Sequence, residues 1–344
     1  RQGLNRYNKS TGLFQNHTAN DIQSDGLTHS SIWCIVKDNQ GTLWLGTYFG
    51  GVNYFNPEYE IYTRYSYSSN EKQGLSNPVV GRTIEDKNGN LWIGTEGGGL
   101  NYFNRRTREF KWYRPQEGRN SISHNNVKAL YYDADKEIIW IGTHLGGLNR
   151  LDIRSGHFTH YRMEDNNRQT LPSDIVRDII PYKDLLIVAT QNGVCLFDPD
   201  SGKCRQLFKD SKEGKSIKMV ADILLDSEGT LWIAATGEGV FSYRFDTRKL
   251  TNYRHDSLNP NSLSNNNVNN IMQDSQGRLW FSTSGSGLDL YHPANNDFEN
   301  FDKEKNGLAS DCVYETQESA ASGKLLLITN QGFSIFDYQN MHIK

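Results

Sequence analysis

The chain has 344 residues, 40 acidic against 37 basic side chains for a formal net charge of −3, and 12% aromatic residues. That balance excludes the basic footprint of a nucleic-acid binder, and no apolar run approaches the ~20 residues that span a bilayer. The four cysteines lack the CxxC spacing of a zinc site, so no metal or cofactor is expected.

In chain order, residues 1–22 read as the last two strands of a four-stranded unit, and the chain opens inside that unit. Any leader or membrane segment is therefore expected outside this piece. Six complete units follow between about 26 and 306, and residues 307–344 supply three strands and the start of a fourth. The period is set by "DNQGTLWLGTYFGGVNYFN" (38–56), "DKNGNLWIGTEGGGLNYFN" (86–104), "DSEGTLWIAATGEGVFSYR" (226–244) and "DSQGRLWFSTSGSGLDLYH" (274–292). Trp44, Trp92, Trp140, Trp232 and Trp280 fall in register, 48 residues apart except for one gap of 92. That gap is two periods, because the copy at 171–213 carries Ile187 at the tryptophan position; the last copy carries Leu326 there.

Each unit opens on a small-residue loop such as "SISHNN" (121–126) and continues as an alternating run such as Val268–Gln273. A D-x-x-G turn then leads into a short continuous apolar strand, "LWIGT" in its commonest form. A glycine turn and a third strand follow, and an Asn/Asp/Gly turn gives a last strand such as Phe158–Tyr161. Period-two alternation with β-branched and aromatic residues, cut by turn signals every 8–12 residues, predicts four-stranded antiparallel blades. A period in the mid-forties fits one blade per repeat. The strands number 29, one more than seven blades need. The expectation is an all-β, seven-bladed β-propeller over 1–344 with one blade built from both chain ends, since an open arc would leave unpaired edges.

Within each blade the apolar second strand has no reason to alternate if both faces are covered, so the tryptophans are expected between neighbouring blades. Asp38, Asp86, Asp226 and Asp274 read as turn formers that accept backbone N–H groups two residues on. One carboxylate per turn is too few for a calcium cage. Cys195 and Cys204 flank Asp198-Pro199-Asp200-Ser201-Gly202. Pairing about a turn centred on Pro199 and Asp200 would set them opposite each other, within ~5.5 Å between Cβ atoms and close to disulfide reach. Two separate small core residues are the alternative; a bond would imply an oxidising compartment.

The unit x-G-L-S-x-N-x-V-x-x-I-x-x-D-x-x-G-x-L-W-I-G-T-x-x-G-G-L-N-x-Y is fullest at 74–103 and 262–291. It resembles the two-component regulator propeller repeat over essentially the whole chain. The resemblance implies the periplasmic sensor region of a hybrid two-component histidine kinase/response regulator. It also implies an oligosaccharide ligand, control of polysaccharide-utilisation genes, and a second propeller as partner. No kinase sequence lies in these residues, so the piece itself is expected to be non-catalytic. The copies at 171–213 and 308–344 depart from the pattern, with "TQNGV" and "TNQGF" in place of the longer glycine turn.

In a propeller, the loops before each first strand and those joining second to third strands share one face. Here those loops vary while the turns at the other end repeat, and variation at a fixed position is how one scaffold serves many ligands. The candidate ligand-binding residues are Tyr48, Phe49, Glu96, His144, Gln191, Asn192 and Glu238 from the second-to-third-strand loops, with His124 from a blade-leading loop. Aromatic rings with a wet rim, beside amides and carboxylates that exchange hydrogen bonds with hydroxyls, suit a sugar. A propeller glycosidase or lyase is one rival, but it needs paired acids and, in sialidases, clustered arginines; the loop positions hold no arginine. A purely structural or dimerising propeller is the other, with its own copy as partner and the outer-strand aromatics Tyr65, Trp112, Tyr113, Tyr161 and Tyr253 as possible interface.

Overall fold

The computed structural model describes residues 4–8, 13–17, 19, 27–39, 42–56, 61–319, 322–338 and 342–343. β1 (Leu4–Asn8) and β2 (Leu13–His17) pair as a two-stranded sheet. The first four-stranded sheet is β3 (Ile32–Lys37), β4 (Leu43–Thr47), β5 (Val52–Asn56) and β6 (Ile61–Tyr65). The second is β7 (Val80–Glu85), β8 (Leu91–Thr95), β9 (Leu100–Asn104) and β10 (Glu109–Tyr113). The third is β11 (Val127–Asp133), β12 (Ile138–Thr143), β13 (Leu148–Asp152) and β14 (Phe158–Tyr161). The fourth is β15 (Val176–Tyr182), β16 (Leu185–Thr190), β17 (Gly193–Phe197) and β18 (Cys204–Gln206). The fifth is β19 (Val220–Leu225), β20 (Thr230–Ala235), β21 (Gly239–Arg244) and β22 (Leu250–Tyr253). The sixth is β23 (Val268–Gln273), β24 (Leu279–Thr283), β25 (Leu288–His292) and β26 (Asp297–Phe301). The seventh is β27 (Val313–Glu318), β28 (Leu325–Thr329), β29 (Gly332–Asp337) and β30 (His342–Ile343). Strand order follows sequence order throughout, and the seven sheets are the blades of a β-propeller.

The chain divides into two compact units, 1–188 with 197–205 and 189–196 with 206–344. In the first, the leading strands of successive blades pack together, β3 on β7, β7 on β11 and β11 on β15. In the second, β19 packs on β23 and β23 on β27. Burial explains the sequence patterns. The second strands β8, β12, β20 and β24 are buried along their whole length, whereas β3 and β11 show the mixed pattern of a partly covered strand.

The repeated tryptophans lie between blades: Trp92 against Ile122, Val127 and Leu130 of the following blade, Trp232 against Leu263, Val268 and Ile271. They also do something the sequence reading separated from them. The indole Nε1 of Trp44, Trp92, Trp232 and Trp280 donates to the carboxylate of the aspartate six residues earlier, at 2.8, 3.2, 2.7 and 2.9 Å. The other carboxylate oxygen of Asp86, Asp226 and Asp274 accepts backbone N–H groups two and four residues on. Turn and inter-blade tryptophan are therefore one hydrogen-bonded unit. The outer-strand aromatics are engaged internally too: Tyr65 lies 4.6 Å from Phe103, and Tyr161 4.7 Å from Phe197, between ring centroids.

Two expectations need correction. The blade expected from both chain ends draws its strands β27–β30 from residues 313–343, and β1 and β2 pair with each other. A local hairpin closes a far shorter loop than pairing with a partner some 300 residues away, and closure entropy grows with loop length. The Cys195–Cys204 disulfide is not formed. The hairpin is centred one residue later than expected: Asp198 N–H bonds Lys203 C=O, Gly202 N–H bonds Asp198 C=O with Gly202 at φ +70°, and Leu207 N–H bonds Val194 C=O. That register sets Cys204 opposite Phe197 and Cys195 opposite Gln206, so the two cysteines take different partners.

Candidate ligand face

The loop end of the first unit is woven from backbone hydrogen bonds. Within each blade the loop after the second strand donates to the blade's leading loop: Tyr48 to Ser31, Glu96 to Val79 and His144 to Asn126, at 3.0, 3.0 and 2.9 Å. Between blades, Gly51, Gly99 and Gly147 donate to Pro78, Asn125 and Asp174 of the next leading loop. Beneath them, Asn53, Asn101 and Asn149 each accept the backbone N–H of Thr28, Ser76 or Ser123 and donate to that residue's hydroxyl. These bonds fix the loops on a rigid frame.

Five leading strands carry the same irregularity at this end. Two residues of the leading strand face one of its partner between Ile32 and Cys34, Val127 and Ala129, Val220 and Asp222, Val268 and Asn270, and Val313 and Glu315. The extra residues are Trp33, Lys128, Ala221, Asn269 and Tyr314; Arg177 occupies the same place after Val176. A bulge re-aims one side chain without ending the strand. Here it frees a row of positions from the alternation that would otherwise bury them.

Two clusters result in the first unit. In one, Trp33 stacks on Tyr48 at 5.2 Å and 14°, Tyr48 meets Phe49 edge-on at 4.2 Å, and His29 lies 6.1 Å from Phe49. Trp33 and Phe49 remain 45% and 56% exposed, a large apolar area for one step in the surface. In the other, Lys128 is ion-paired with Glu96, and the rings of His124 and His144 lie 6.3 Å apart. Burial, followed by the charges of Lys128 and Arg177 and by His124, holds His144 below the usual imidazole pKa, with Glu96 opposing. Leu145, beside it, adopts φ +72° and is 56% exposed, a left-handed conformation that costs a branched residue ~1–3 kcal/mol.

Three buried side-chain atoms among the described residues have no hydrogen-bond partner: Ser31 Oγ, His144 Nδ1 and Arg177 Nε. All three are at this end of the first unit. Each such group costs ~1–3 kcal/mol when left unpaired.

Of the sequence candidates, the structure brings Tyr48 and Phe49 together, and separately Glu96, His124 and His144. Gln191, Asn192 and Glu238 lie in the second unit, at the corresponding loops of their blades; Glu238 is ion-paired with Arg254. Trp33, Lys128 and Arg177 escape a sequence reading because they sit in strands. The signal was their shared place after the Val or Ile that opens each leading strand. The absence of arginine noted for the loop positions does not extend to this end of the blades: Arg177 is there, Arg162 donates to the Leu145 carbonyl and Arg254 is paired with Glu238. Clefts of about 520 Å³ beside Trp232 and Tyr291, and 470 Å³ beside Trp44 and Arg105, lie at the opposite, turn end and are lined largely by repeat residues. Among the described residues no cluster of His, Cys, Asp or Glu could hold a metal ion, and no helix is long and apolar enough to cross a membrane.

The two-component regulator propeller model matches residues 26–49, 74–97, 121–144 and 262–285. No curated relative matches. Among solved structures, the extracellular domain of the hybrid two-component system BT3049 from B. thetaiotaomicron is 23% identical with TM-score 0.72, over 88% of this chain and 39% of that one. The extracellular domain of the one-component system BT4673 from B. thetaiotaomicron is 21% identical with TM-score 0.66, over 97% and 50%. PorZ, an essential surface component of the type-IX secretion system of Porphyromonas gingivalis, is 16% identical with TM-score 0.70, over 94% and 48%. At these identities the likeness establishes the fold, and the chain spans half or less of each neighbour.

Proposed function

We propose that this chain, which carries two-component regulator propeller repeats, is the extracytoplasmic, periplasmic ligand-sensing part of a hybrid two-component signalling protein. In this reading it recognises an oligosaccharide and thereby controls polysaccharide-utilisation genes, and it catalyses nothing itself. The observation that carries the reading is the exposed step of Trp33, Tyr48 and Phe49. Rings held on edge and in stacks by one another offer flat apolar faces to a sugar, while the surrounding polar groups fix its orientation. Signal leaves through a change in packing against a second propeller or a second copy of the chain, because a ligand shifts an equilibrium only by binding one arrangement better.

Calorimetric titration of the purified chain against a panel of oligosaccharides tests this. A saturable signal that Phe49→Ala and Trp33→Ala each abolish, with thermal unfolding unchanged, is the expected result. Silence across the panel, or binding untouched by both substitutions, would remove the sugar-sensing assignment from this face.

A further inference from the structure

We infer that the Arg177–His144 end of this face receives the carboxylate of an acidic sugar, so that the sensed oligosaccharide contains a uronic acid or a comparable sugar acid. The inference rests on the sugar-sensing reading and narrows it.

Arg177 Nε and His144 Nδ1 are two of the three buried side-chain atoms left without a hydrogen-bond partner. Both can donate: an arginine Nε always carries a proton, and a neutral imidazole carries one on either nitrogen. Neighbouring carboxylates do not already satisfy the arginine. Glu96 is taken by Lys128, Asp174 stands 3.7 Å from Arg162, and no acidic residue pairs with Arg177 among the described residues. The groups facing His144 are Lys128, Arg177, His124 and Glu96. Lys128, Arg177 and Glu96 together leave one positive charge uncompensated. The planar guanidinium fork matches a carboxylate better than a tetrahedral anion or a hydroxyl. Exposed Leu145, held in its left-handed conformation beside His144, supplies an apolar edge against which the ring bearing that carboxylate can lie.

The test is NMR of the histidine-labelled chain, following the His144 ring during titration with glucuronate, with glucose and inorganic sulfate as controls. Glucuronate is expected to move the His144 signals and raise that residue's pKa, because a bound anion offsets the nearby cations; glucose should do neither. Arg177→Gln, with unfolding temperature checked, should weaken the glucuronate response at least ~10-fold, the scale of one charged hydrogen bond. An unmoved His144 ring, or equal responses in Arg177→Gln and the parent chain, would overturn the inference. Sulfate acting as strongly as glucuronate would also overturn the carboxylate assignment. Glucuronate shifting His144 while no oligosaccharide engages Trp33 and Phe49 would sink the sugar-sensing reading alone.

Discussion

In three blades an asparagine locks the leading loop to the third strand; in the sixth blade Asp289 stands in that place. It is fully buried and accepts from the Ser264 N–H at 3.0 Å, the Ser264 hydroxyl at 2.8 Å and Asn300 Nδ2 at 2.9 Å. Burial pushes its carboxyl up to about 6, against the hydrogen bonds of Ser264 and Asn300. The folded state therefore holds this proton more tightly than the unfolded chain, where an aspartate titrates near ~3.9. Below pH ~4 the group is protonated in both states and costs nothing. As pH rises from ~4 to ~6 the unfolded state alone ionises, and stability falls by about two pH units' worth of linkage, ~3 kcal/mol, then stays level. Asp289→Asn removes that loss and restores the amide–hydroxyl exchange seen at Asn53, Asn101 and Asn149. It also sets the Asn300 amide against a second donor, which costs ~1 kcal/mol. The variant should gain ~2 kcal/mol at pH 7.5 and lose ~1 kcal/mol at pH 4, measured by denaturant unfolding of both chains across that range. A variant less stable than the parent at pH 7.5, or an equal gain at both pH values, would refute the reasoning.

Trp92→Ala should destabilise the chain by ~3–5 kcal/mol in urea unfolding, since it empties a blade junction, whereas exposed Trp33→Ala should stay within ~0.5 kcal/mol. Asp226→Asn places an amide where both the Trp232 indole and two backbone N–H groups donate; a loss of ~1–3 kcal/mol is expected, with a weakened near-ultraviolet tryptophan signal. Gly94→Ala should cost ~1–3 kcal/mol by thermal unfolding, because a Cβ there would meet Val127 Cγ1 of the next blade at 2.6 Å. Gly118→Ala, with nothing within 4 Å but φ +69°, should cost less than Gly94→Ala in the same assay.

The blades were legible because a tryptophan every 48 residues, an apolar second strand and a D-x-x-G turn all point to the same local structure. The chain ends were harder: β30 has only two residues, too short for a period-two signal, and pairing between remote strands leaves no local trace. The register of the β17–β18 hairpin could have been read from within the sequence. Asp152 to His157 and Asp198 to Lys203 share the pattern D-x-x-S-G-x, and in both the last residue's carbonyl accepts from the aspartate N–H while the glycine N–H bonds the aspartate carbonyl. Half of the candidate face was visible as variable loops. Trp33 and Lys128 were not, since a bulge obeys backbone geometry and leaves the hydrophobic pattern of its strand intact, and Arg177 follows Val176 inside a strand in the same way.

The bulged position of these five leading strands behaves as a socket whose shape is set by the backbone and whose content is free. Tryptophan, lysine, alanine, asparagine and tyrosine all occupy it in this one chain without altering the strand pairing around it. Under the proposed sensing role, recognition can therefore drift quickly while the frame stays still, and two chains with superimposable blades can answer to unrelated molecules. A library randomised at Trp33, Lys128, Arg177, Ala221, Asn269 and Tyr314 alone would sample new ligand preferences with little loss of folded protein.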